Sequence, residues 1–188
     1  MIHARFYTLL SITLAAALAR LVPHWWNFTP IGALALFGGA YFMRRGAAFA
    51  VPLGAMLLSD VILGITRYGS IVLYSQPVVY GCFVATVLIG MLLRNRRTVV
   101  TVPAAAIASA VLFFVVTNFA VWYGGERYPQ RAEGLVACYV AGLPFFRNGL
   151  LGDLFYSAIL FGGFELAQRR WPALRLVGGR LSEGAAAI

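Results

Sequence analysis

The chain alternates long apolar runs with short clusters of arginine, proline and glycine. Six apolar runs are read, about 6–22, 31–43, 47–66, 70–94, 100–123 and 146–168. A helix rises about 1.5 Å per residue and needs roughly 17–25 apolar residues to cross a ~30 Å hydrocarbon core. Five runs reach that length; the second, with 13 residues, does not. It must be tilted, extended by its flanks or sunk inside a bundle. Its Gly32, Gly38, Gly39 and Ala40 let neighbouring helices approach closely, which favours burial. The pattern predicts an all-α fold, a polytopic bundle of six transmembrane helices in a single domain over 1–172. A Gly/Ala-rich flexible tail over 173–188 is expected to follow.

Composition strengthens this reading. Of 188 residues, 61% are hydrophobic and 11% charged, against roughly 45–50% and about 25% in soluble domains. Every one of the 15 basic residues is arginine, and these lie in short clusters between apolar runs. That is the layout of topology signals, not of a nucleic-acid stripe, and no nucleic-acid partner is expected. With the N-terminus on one side, that side collects Arg5, Arg44, Arg45, Arg94, Arg96, Arg97, Arg169, Arg170, Arg175 and Arg180, ten in all. The other side holds Arg20, Arg67, Arg127, Arg131 and Arg147, five in all. The positive-inside rule then puts both termini in the cytoplasm, in an inner membrane. Arg5, the apolar run and Ala17-Leu18-Ala19 also fit a signal peptide cleaved after Ala19. The apolar segment that follows, and the six-span count, favour retention.

Polar residues inside a membrane are expensive, so those present are candidate functional groups. Asp60 lies roughly 10 Å below the outer boundary, Asn118 about 7–8 Å and Asp153 about 9 Å, from the helical rise. With Arg147 and Asn148 they form a polar level delivered by three helices, either a ligand site or a network tying helices together. Arg147 is the natural counter-charge to the two carboxylates. His24, Trp26 and Asn27 sit in the first outer loop as a candidate lid, although Trp25 and Trp26 also suit simple interfacial anchoring. The loop over 124–146 contains an apolar stretch, Ala132–Gly142, before Pro144, and a short half-helix at the outer interface is expected there. Glu165 and Arg169 form an i, i+4 pair that reads as helix support.

Other chemistry is weakly represented. No GxSxG, HExxH or P-loop motif occurs, so no catalytic residue is assigned and an enzyme is not expected. Cys82 and Cys138 stand alone in apolar surroundings, and His24 lacks partner ligands, so no metal or cofactor is expected.

Several segments carry a resemblance. Asn27–Ala33, Leu36–Phe42, Leu58-Ser59-Asp60, Thr117–Trp122 and Pro144–Asn148 with Gly152-Asp153 resemble a family of small bacterial membrane proteins that bears only a provisional transport label. The architecture is similar to the S-components of energy-coupling-factor vitamin transporters. That resemblance implies capture of a small molecule, such as a vitamin, from the external side for uptake. It also implies docking on a transmembrane coupling subunit and its ATPases through Ala15 and Ala19, a small-xxx-small face. In S-components that act alone, a membrane cysteine can meet cobalamin; Cys82, then Cys138, would be that position here. The competing class is a non-transport helper or scaffold subunit that uses Ala15, Ala19 and the short second helix as contact faces.

Overall fold

A computed structural model describes residues 2–22, 26–68 and 76–175, with the backbone alone at Ile2, His3, Arg67, Tyr68 and Gln76. The described chain forms α1 (Ile2–Ala19), α2 (Ile31–Tyr41), α3 (Arg45–Tyr68), α4 (Gln76–Leu92), α5 (Thr101–Gly124) and α6 (Ala132–Arg170), then a 3₁₀ turn, Pro172–Leu174. Among the described residues there is no strand. Arg45–Thr66, Thr101–Gly124 and Ala132–Arg170 are long and apolar enough to cross a membrane. α1, α2 and α4 are apolar but shorter.

The short second helix is the centre of the molecule. α2 packs against every other helix, and all its residues except Gly32 are buried. Glycine makes this possible. A Cβ at Gly39 would collide with the Val87 carbonyl, and one at Gly90 with the Leu36 carbonyl. α2 and α4 therefore meet backbone to backbone, the close approach that small residues permit where burial in lipid supplies no hydrophobic drive. On another side Gly38 leaves room for the ring of Pro52 in α3. Towards α6, Phe37 and Tyr41 pack edge-on or tilted against Phe161 and Phe164, with centroids 4.8–5.8 Å apart. Such aromatic geometries add to simple burial.

The C-terminal end of α2 is clamped by arginines. A helix end leaves its last carbonyls without partners, and the end carries about half a negative charge. Arg94 donates from Nε to Gly39 O at 3.0 Å and from Nη2 to Phe42 O at 2.8 Å. Arg97 reaches Ala40 O at 3.3 Å, and Arg5 reaches Tyr41 O at 3.4 Å. Arg5 also donates to Gln168 Oε1 at 2.9 Å and to the Leu174 carbonyl. The start of the first helix and the end of the last therefore lie at one end of the bundle. Glu165 accepts from Tyr41 Oη at 2.7 Å and lies 3.8 Å from Arg97 Nε. Its partners come from other segments, in place of the local pair with Arg169 that the spacing offers. Leu174 is buried, so the packed chain runs two residues past the expected boundary; residues 176–188 of the tail lie outside the described residues.

The expected half-helix is not a separate element. α6 is one helix of 39 residues that passes through Pro144, about 58 Å if straight. Pro144 cannot donate to the carbonyl four residues back, yet packing supports the helix on both sides of it. Tyr139 Oη donates to Val115 O at 2.8 Å, and Phe114 packs on Tyr139 at 5.5 Å and on Phe146 at 4.7 Å. Contacts with α5 thus hold the segment over 132–143 upright as the first turns of α6.

Candidate functional site

At the opposite end of α2 the helices do not close. A cavity of about 370 Å³ lies beside Ile31 and Gly32, walled by residues from α2 to α6, by Arg20 just past α1 and by Asn27 and Thr29 of the following loop. Its polar groups are Arg20, Asn27, Thr29, Thr86, Ser109, Thr117, Asn118 and Asp153. Its apolar wall includes Phe83, Phe113, Phe114, Phe145 and Phe146. That mixture, largely apolar with a few convergent polar groups, is the usual make-up of a small-molecule pocket, and the volume is at the small end of the range.

Asp153 has two structural neighbours that define its place. Its carboxylate accepts the backbone N–H of Ala33, and a Cβ on Gly32 would overlap the same carboxylate. It therefore sits on the N-terminus of α2, where Pro30 offers no side-chain cap. A negative group there meets unpaired N–H donors and the positive end of the helix dipole. The side chain both caps α2 and lines the cavity.

Arg20 is held from behind. Its Nη1 donates to Ser59 Oγ at 2.9 Å and forms an ion pair with Asp60. Asp60 Oδ2 accepts from Tyr80 Oη at 3.1 Å, and Ser59 Oγ donates to Met56 O at 2.8 Å. Asp60 thus supports a residue of the cavity wall without lining it. Its partner is Arg20, not the expected Arg147.

The loop between α1 and α2 is seated on α6. Asn27 has φ 61°, a left-handed conformation that Asn tolerates better than most residues, and Thr29 N donates to Asn27 O at 3.0 Å. Gly152 admits this loop, since a Cβ there would stand 3.1 Å from Thr29 N. Phe28 packs against Phe155 and Tyr156, both at 5.6 Å.

Of the residues expected to bind, the structure brings Asn27, Asn118 and Asp153 to the cavity. Asn118 donates from Nδ2 to Phe114 O at 2.8 Å, and its Oδ1 lies where a Cβ on Gly142 would fall. Arg147 is exposed, Asn148 is half-buried, and neither lines the cavity. The reason is helical phase. Gly142, Phe146, Gly149 and Asp153 recur at i, i+4, i+7 and i+11 on one face, and at 100° per residue positions 147 and 148 point elsewhere. Trp26 is exposed and rests at 6.3 Å from Phe145 outside the wall. His24 lies outside the described residues. Cys82 and Cys138 are buried and neither lines the cavity; Cys138 Sγ faces Asn118 O at 3.4 Å.

Sequence reasoning missed Arg20, counted only as a topology charge, and the phenylalanine wall. The paired rings Phe113-Phe114 and Phe145-Phe146 are the one sequence sign of that wall, and in so apolar a chain they do not stand out.

The model of a family of unknown function, DUF6580, matches residues 1–174, and the chain belongs to that family. Comparison with curated proteins and with solved structures gave no match.

Proposed function

We propose that this DUF6580 member is a six-span inner-membrane protein that captures a small amphipathic molecule from the external side and passes it inward. The observation that carries the proposal is the cavity, to which all the helices or their ends contribute, at the end of the bundle away from the arginine clamp. Arginines mark the cytoplasmic side of membrane proteins, so the cavity end is the external one. Asn118 and Asp153 then form the polar part of the site, Arg20 paired with Asp60 behind it an ion pair in the wall, and Asn27 the lid. The resemblance to vitamin-capturing S-components agrees with this arrangement. So does the exposure of Ala15 and Ala19 on α1, which leaves a small-residue face free for a coupling subunit.

One observation favours the helper reading instead. Asp153 caps α2 and Asp60 pairs with Arg20, so each carboxylate already has a structural task. Sidedness tests the transport reading first. In a background without native cysteines, Glu126→Cys and Asn95→Cys place thiols at exposed positions on opposite ends. The external assignment predicts that an impermeant maleimide labels the first in intact spheroplasts and the second only after lysis. The reverse pattern would put the cavity on the cytoplasmic side and end the capture reading.

A further inference from the structure

The charges around the cavity are not balanced, and this bears on what it takes up. Among the described residues two ionisable side chains line it, Arg20 and Asp153. Arg20 is neutralised in place by Asp60, which also accepts the Tyr80 hydroxyl. Asp153 has the Ala33 N–H, and among the described residues the ion pairs are Arg20–Asp60 and Arg97–Glu165, neither of which includes it. The α2 dipole offsets about half a charge at most. With Asp153 ionised, the wall carries an excess of negative charge beside the N-terminus of α2. The same wall includes five phenyl rings; the faces of such rings are negative and attract cations. An anion at Arg20 would share the guanidinium with Asp60 and the cavity with Asp153. The buried Ser109 Oγ, without a partner among the described residues, remains to orient a polar substituent.

Building on the reading of this cavity as a ligand site, we infer that its ligand is a small organic cation. It carries an ammonium or protonated ring nitrogen against Asp153 and an aromatic or apolar body against Phe83, Phe113, Phe114, Phe145 and Phe146. Asp153 then serves as counter-ion as well as helix cap, and Asp60 offsets the charge with which Arg20 would draw anions.

Three probes with one body and different charge test this: 4-phenylbutylamine, 4-phenylbutan-1-ol and 4-phenylbutyrate, titrated calorimetrically into the purified full-length protein. The amine is expected to bind at least about tenfold tighter than the alcohol, and the carboxylate weakest of all. In Asp153→Asn the amine is expected to lose about tenfold and fall to the level of the alcohol. The alcohol, which does not depend on the carboxylate, should stay within about threefold of its wild-type affinity and so reports that the cavity persists. Equal or tighter binding of the alcohol or the carboxylate by the wild type overturns the cation inference and leaves the ligand site standing. An amine preference unchanged in Asp153→Asn does the same. Failure of all three probes to bind the wild type overturns both the inference and the ligand-site reading.

Discussion

The two ends of α2 carry opposite charges and opposite designs. At the C-terminal end three arginines spend their donors on the carbonyls of Gly39, Ala40, Tyr41 and Phe42, and Glu165 ties Tyr41 to Arg97. Arg5 there lies 5.3 Å above the Phe164 ring and Arg97 4.7 Å above Tyr41, so the charges are packed as well as paired. At the N-terminal end one carboxylate meets the helix, and the space beside it is a cavity. The same helix dipole is satisfied in both places. What differs is how much of each charge is used up. A charge consumed by several fixed partners holds the bundle together; a charge with one partner and open volume beside it can also meet a ligand.

The comparison can be broken most severely at the helix between the two ends. Gly39→Leu inserts a side chain where a single Cβ already collides with α4 backbone. Neither helix can yield cheaply, and a loss above about 4 kcal/mol is expected, read as failure to purify a folded protein. Normal yield and melting would show that α2 and α4 are not locked. Next comes the clamp. Arg5→Ala strands the Leu174 and Tyr41 carbonyls and leaves Gln168 without its donor, at about 3 kcal/mol. Its binding of 4-phenylbutylamine, measured below the lowered melting temperature, should match the wild type. Weakened binding would mean that the clamp is part of the site.

The smallest expected change in stability is at the cavity end. Gly32→Ala pushes a methyl group into the Asp153 carboxylate, a side-chain terminus that can swing away. Stability should fall by only about 1 kcal/mol, the value of one helix-capping contact. Binding of the amine probe should fall by about tenfold. A large loss of stability with intact binding would make Asp153 a cap and nothing more.

How much of this was legible in the sequence differs by element. The burial of α2 could be read from its shortness and its glycines, because only a helix inside a bundle can dispense with length and side chains together. Asp153, Asn118 and Asn27 could be read as polar residues in costly places. The phase of Arg147 and Asn148 depends on α6 running unbroken through Pro144, which the sequence does not announce. The continuity of α6 was hidden by Pro144, whose local penalty is outweighed by tertiary contacts from Tyr139 and Phe146 to α5. The partnership of Arg20 with Asp60 spans 40 residues, and no local pattern announces it.

The central claim, that the cavity at the N-terminal end of α2 holds a small molecule, is met most directly by plugging it. Ala110 lies in the wall on α5, away from both charged groups in sequence, and is buried. Small molecules released from gently purified wild type and Ala110→Phe would be identified by mass spectrometry, with melting temperatures measured alongside. The account predicts one molecule enriched with the wild type, reduced by about tenfold or more in the variant, while melting is maintained because the ring fills empty space. The same molecule released equally by both proteins, or none retained by the wild type, would contradict it.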